Sequence, residues 1–325
     1  MKKISIVFVL VSGFVINICQ AQDNPQAEIT NGILKAHLYL PDAEKGYYRA
    51  TRFDWSGIIS SLEYKGHNYF GQWFKEYSPT THDAIMGPVE AFAPLNYGEA
   101  DPGGNFVQIG VGAMTKPSDE KHNSFNFYPI VDHGKWKIKK KADEVQFMQV
   151  LKNDNYSYEY TKSVRLVKGK PQMVISHTLK NTGKQTIETN VFNHNFFVID
   201  HQTTGPGFEL TFPVEVSGTG KGIGDIVDIQ GKRISFKRDL VEGENFMCRS
   251  LEGINGSVKD FDIRINNLKT GAGVKITGDR PLSKLMFWGN PKTFSPETYI
   301  DIMVEPGKEF KWSYFYEFYI SDTSK

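Results

Sequence analysis

The sequence predicts an all-β sandwich in a single domain. Three observations point there. Short segments that alternate apolar and polar side chains recur along the chain, the period of a strand with one buried face. Clusters of Gly, Asn, Asp and Pro separate them at short intervals. No segment spaces its apolar residues by three and four over several turns, as an amphipathic helix must.

The elements follow in order. Residues 1–21 read as a secretory signal peptide. Lys2 and Lys3 are basic, residues 4–18 are apolar, and Cys19-Gln20-Ala21 ends the segment with a small residue. The apolar run is too short to span a membrane and no stop-transfer pattern follows it. Bulky Ile18 before Cys19 makes a poor lipidation site, so soluble export to the periplasm or the medium is expected over a lipid anchor at Cys19. The remaining chain, 22–325, reads as one domain without linker, repeat or low-complexity tract. It keeps a single cysteine, Cys248, so no internal disulfide can hold it. The formal net charge is +1, which offers nothing to nucleic acid or an anionic membrane surface. Nothing in the sequence sets an oligomeric state.

Residues 27–40 read as a strand pair turning at Asn31-Gly32. Residues 47–53 read as extended, 58–64 as a strand, and 65–68 as a turn. Residues 72–104 lack periodicity and read as one long functional loop. Strands are then expected at 106–114, 136–141, 145–151 and 156–167. Residues 172–189 read as a hairpin turning at Asn181-Thr182-Gly183. Further strands are expected at 208–216, 226–229, 233–237, 245–251, 261–265, 273–276, 282–288, 299–304 and 310–320.

The returning strand of that hairpin ends in Val191-Phe192-Asn193-His194-Asn195-Phe196-Phe197, a histidine between asparagines that runs into two aromatics. Imidazole titrates near neutral pH, so His194 is a candidate acid or base. The NTG turn followed by Asn-His-x-aromatic-Phe resembles the aldose 1-epimerase (galactose mutarotase) family. The resemblance implies a mutarotase β-supersandwich with a concave sugar cleft. It implies that His194 is the general acid that protonates the sugar ring oxygen. It also implies a general base at a glutamate that opens a strand near the C-terminus, a strand ending in a Pro-Gly turn; Glu297 matches, and Glu305 beside Pro306-Gly307 competes. His82 takes the place of a sugar-holding histidine, although His82-Asp83-Ala84 departs from the family's glycine-containing setting. An upstream arginine is also implied, either Arg49 or Arg52, with a planar fork suited to sugar hydroxyls or a carboxylate.

Aromatic residues make up 13% of the chain, enough to serve both a β core and sugar stacking. Trp73, Tyr77, Trp288 and Phe196 are stacking candidates. His122, His133, His177 and His201 lack metal-ligand spacing, and Asp200-His201 reads as an ion pair. Gly220–Gly224 has no strand-then-helix context for a phosphate, and no Gly-x-Ser-x-Gly occurs. Neither metal nor cofactor is expected. The expected ligand is a mono- or oligosaccharide. Three activities fit: interconversion of sugar anomers, lyase or hydrolase action on a glycan, and carbohydrate binding without turnover. For the first, acid and base are expected to face each other across a gap about one sugar wide.

Overall fold

The structure, a computed structural model, describes residues 24–322. The expected leader, residues 1–21, lies outside them. Among the described residues there is no α-helix, only single helical turns at Ile199–His201 and Val258–Asp260. No helix among them is long and apolar enough to cross a membrane.

Two large antiparallel sheets form the body. The first has ten strands, in the order Val227–Gln230, Arg233–Phe236, Phe208–Thr211, Asp262–Asn267, Ala272–Gly278, Glu309–Ile320, Gln172–Asn181, Tyr158–Leu166, Glu144–Leu151 and Lys135–Lys140. The second has six: Gly220–Lys221, Phe246–Cys248, Lys284–Asn290, Thr293–Val304, Ile187–His194 and Val89–Phe92. Smaller sheets are built from Gln26–Thr30, Leu34–Tyr39, Ile58–Tyr64 and His67–Asn68, and from Asn105–Gln108, Gly112–Thr115 and Ile130–Asp132. Period-two burial runs through Glu144–Leu151 and Tyr158–Leu166, where every second side chain is buried. Ile175, Leu179, Trp312 and Tyr314 from the larger sheet share one core with Val191, Phe287, Ile300 and Ile302 from the smaller. The architecture is the β-sandwich that the alternating pattern predicts.

The expected hairpin at 172–189 is not one. Its two strands form as predicted but join different sheets. Gln172–Asn181 pairs with Tyr158–Leu166 and Glu309–Ile320, whereas Ile187–His194 pairs with Thr293–Val304 and Val89–Phe92. Asn181 holds the crossing. Its Nδ2 donates to the Gln185 carbonyl at 2.7 Å and the Val304 carbonyl at 2.8 Å, and its Oδ1 accepts from the Gly183 N–H at 2.9 Å. A Cβ at Gly183 would stand 2.7 Å from the Ser157 nitrogen, so only glycine allows this approach. Alternation reveals a buried face but not the strand that pairs with it.

Four other expectations change. Residues 47–53 form no strand; Tyr47, Tyr48 and Phe53 are buried in a second, aromatic core with Trp55, Trp73, Phe106 and Tyr128. Residues 72–104 are not one loop, because Val89–Phe92 is an edge strand beside His194. All four of its residues are buried, so it has no alternation to detect. Residues 106–114 hold two strands rather than one, reversing at Gly110, which has φ +83° and packs against Asp54. Asp200 pairs with His67, at 2.9 Å from Nδ1, and not with its neighbour His201.

Candidate active site

The six-stranded sheet presents one face to a cavity of about 300 Å³. The register decides which side chains share that face. Lys284 lies opposite Tyr299, Met286 opposite Glu297 and Trp288 opposite Ser295. On the other flank Phe192 lies opposite Tyr299 and Asn193 opposite Thr298, so the next residue, His194, comes beside Glu297. Side chains two apart share a face, so Lys284, Met286, Trp288, Glu297, Tyr299, Phe192 and His194 all point one way. All seven line the cavity. Arg52, Asp83, Ser124 and Phe125 from loops, Phe196 just past the His194 strand, and Met247 and Arg249 from the strand Phe246–Cys248 and its end complete the wall.

Glu297 does not open its strand, as the resemblance implies, but sits in the middle of Thr293–Val304. Pro296 hides the strand in the sequence because proline normally interrupts a central strand. It is tolerated because its carbonyl, and hence the side of its missing N–H, faces the end of the His194 strand. There Asn195 takes over: its Nδ2 donates to the Pro296 carbonyl at 2.7 Å and its backbone N–H to Ser295 Oγ at 2.8 Å. Phe196 follows with φ +44°, an uncommon conformation for a bulky side chain. This turn lays its ring flat on the His194 imidazole, with centroids 3.6 Å apart and planes within 7°. The edges of Trp288 and Phe53 close in at 5.5 and 5.8 Å.

His194 Nε2 stands 3.3 Å from Glu297 Oε1. Acid and base candidates are therefore in direct contact, not a sugar's width apart. They are neighbours on adjacent strands of one sheet, so both face the same side of any bound ligand. His194 and Glu297 are only 2% and 4% exposed. Burial pushes the imidazole well below its usual range, and the nearby Arg52 charge adds to this. Burial also pushes the Glu297 carboxyl up to about 7, against the pull of Arg52 and Lys284. The distance would allow an ion pair. Desolvation opposes it in both partners, so below pH 7 the pair rests as a carboxylic acid beside a neutral imidazole.

Of the two arginines, Arg52 lines the cavity. Its Nη1 bonds the Asp83 carboxylate, and its guanidinium lies between the rings of Phe53 and Phe125, at 4.7 and 4.6 Å. Arg49 lies off the cavity, with Nη1 3.5 Å from the Ala43 carbonyl. His82 is not part of the wall either. It stands behind it, with Nε2 3.2 Å from Asp83 Oδ2 and its ring edge-on to Phe125. Trp288 is in the wall. Trp73 backs it, stacked on Phe196 at 5.1 Å, and lines a neighbouring cavity with Trp288. Tyr77 stacks on Tyr47. Glu305 is exposed in its turn.

Sequence reasoning missed Asp83, Phe125, Arg249, Lys284, Met286 and Tyr299. Counting by twos from Glu297 and Trp288 would have found Tyr299, Met286 and Lys284. Asp83 and Phe125 come from irregular segments and carry no such signal. No group of three or more metal-ligating side chains exists among the described residues.

No protein-family model matches the sequence, and no curated protein matches it. Solved structures do. A GalM/aldose epimerase homologue from C. elegans superposes with a TM-score of 0.54 at 13% identity, over 92% of this chain and 100% of that one. A galactose mutarotase-like protein from Clostridium acetobutylicum gives 0.53 at 14% identity, over 92% and 99%. The Slr1438 protein from Synechocystis sp. PCC 6803 gives 0.54 at 10% identity, over 94% and 99%. A likeness over nine-tenths of the chain fixes its fold as that of the galactose mutarotase-like β-sandwich proteins.

Proposed function

We propose that this protein interconverts the anomers of a free sugar, with Glu297 as general base and His194 as general acid. The supporting observation is the contact between a raised carboxyl and a lowered imidazole at the floor of a cavity. The cavity, about 300 Å³, is at the small end for ligand sites and suits a monosaccharide better than a long glycan.

The chemistry needs one mobile proton. Below pH 7 the pair holds it on Glu297. Moving it to His194, across the 3.3 Å contact, gives carboxylate and imidazolium without changing the proton count. Glu297 then takes the proton of the anomeric hydroxyl. The bond from C1 to the ring oxygen breaks, its electron pair goes to that oxygen, and His194 protonates it. Rotation about C1–C2 and closure in the reverse sense return both protons and give the other anomer. After closure Glu297 is again the carboxylate and His194 the imidazolium, and because acid and base touch, the shared proton can pass back to Glu297 without solvent.

Hydrolysis by a carboxylate pair fits less well. It needs a second free carboxyl, and Asp83 is held by Arg52 and approached by His82. Binding without turnover gives no use for a proton-sharing pair. The N-terminal leader supports export to the periplasm or the medium. Polarimetry on a panel of freshly dissolved single-anomer sugars tests the proposal. Mutarotation faster than the spontaneous rate is expected for at least one sugar; no acceleration across the panel would refute it.

A further inference from the structure

We infer that the sugar taken by this site carries an anionic substituent, held by Lys284 and Arg249; this rests on the sugar-anomer reading and names its substrate class. The charges around the cavity support it. Three cations, Arg52, Arg249 and Lys284, face two carboxyl groups, Asp83 and Glu297. Arg52 and Asp83 satisfy each other, and Glu297 is engaged with His194. That leaves Lys284 and Arg249, neither of which has a carboxylate partner among the described residues.

The chain as a whole is nearly neutral at +1. Lys135, Lys137 and Lys139 on the strand Lys135–Lys140 also lack an ion-pair partner among the described residues, but they stand exposed to solvent. Lys284 instead extends over the Tyr299 ring, with Nζ 5.1 Å from the centroid, half-buried in the wall. A cation held in a concave, partly dry wall loses hydration and regains it only from an anion. Such a wall also focuses its field on incoming ligands.

The spacing fits a single sugar. Lys284 lies two residues along the strand from Met286, the residue opposite Glu297. That is about 7 Å along the sheet, a distance one acidic hexose can bridge from its anomeric centre to its charged group. Arg249 adds a planar fork that matches the oxygens of a carboxylate, sulfate or phosphate. The shared chemistry is a compact oxyanion on a monosaccharide.

The test is calorimetric binding and polarimetric exchange with galacturonate, glucuronate, galactose, glucose and the 6-phosphates and 6-sulfates of the two hexoses. At least one acidic class should bind about tenfold or more tightly than its neutral counterpart, the order of one charge-assisted hydrogen bond. The tightest class identifies the oxyanion. The preference should shrink as salt is raised and vanish in a Lys284→Met, Arg249→Gln double variant whose melting temperature confirms that it is folded. Single variants serve if the double variant does not fold. Equal binding of neutral and acidic sugars, no binding of any acidic sugar, or a preference that survives the substitutions would overturn the inference. Exchange on neutral sugars alone would leave the anomer reading standing and remove this one. Tight acidic binding without exchange would do the reverse.

Discussion

Two groups of buried charge lie on opposite faces of the strand Ile187–His194. On the core side, Lys162 Nζ bonds the Glu90 carboxylate, donates to the Ser56 carbonyl at 2.8 Å and lies 3.6 Å from Asp54. His177 Nε2 approaches Glu90 at 3.1 Å, Asn193 Nδ2 donates to it at 3.1 Å, and Tyr160 donates to Asp54 at 3.0 Å. On the cavity side stand His194 and Glu297. Both groups are buried, yet the two glutamates respond in opposite ways. Burial pushes Glu90 up, but Lys162 and His177 outweigh it and hold the carboxyl down near 2. Burial pushes Glu297 up with only distant cations against it, and it rises to about 7. Burial of a titratable group therefore does not mark a site by itself. A charge answered on every side is scaffold; one left partly unanswered beside a cavity is available for proton transfer. The two regions are also joined. The Tyr316 hydroxyl lies 2.9 Å from Asn193 Oδ1 and 2.8 Å from Asn195 Oδ1, so the core fixes both neighbours of His194.

The largest expected effect separates the two sides. Glu90→Ala leaves Lys162 buried beside a vacancy and should cost about 3–5 kcal/mol of stability by denaturant unfolding. A cost below about 1 kcal/mol would show that the core charges are not mutually dependent. His194→Ala and Glu297→Ala should instead each lower turnover about 10²-fold or more, roughly 2.7 kcal/mol in the barrier, while the protein stays folded. Polarimetry alongside thermal melting reads both quantities; variants as active as the parent would remove the pair from the mechanism.

A smaller effect concerns pH and stability. Glu297 titrates near 7 in the folded protein and near its ordinary 4.5 when unfolded. The folded state holds a proton that the unfolded chain releases between those values. This contribution is fully present below about 4.5 and is lost as pH rises through 7. Glu297→Gln cannot titrate, so its stability relative to the parent should increase across that window. Glu90 has the opposite sign. Its contribution is present above about 4.5 and is lost as pH falls toward 2. Unfolding curves at stepped pH would show both trends, and a Glu297→Gln difference that stays flat with pH would contradict the raised carboxyl.

The sequence revealed the strands more readily than their partners. Glu144–Leu151 and Tyr158–Leu166 were legible because each alternates against a single buried face. Val89–Phe92 was not, since burial on both faces erases the period. The two strands around Asn181 were found, but their assignment to different sheets depends on long-range bonds to Val304 and Lys308 that no local pattern encodes. Of the site, the stretch around His194 stood out by composition, and Glu297 by resemblance. Lys284 and Arg249 did not, because an unpaired cation is recognisable only when its surroundings are known.

The central claim is that the His194–Glu297 pair works with one shared proton. The most direct measurement is the pH profile of enzyme-catalysed mutarotation of an accepted sugar, with the spontaneous rate subtracted. One proton too many leaves no base, and one too few leaves no acid. The rate should therefore follow a bell, with its alkaline limb near pH 7, where Glu297 loses the shared proton, and its acid limb well below the ordinary range of histidine. A rate that stays level from about pH 5 to pH 9, across the alkaline limb, would contradict it.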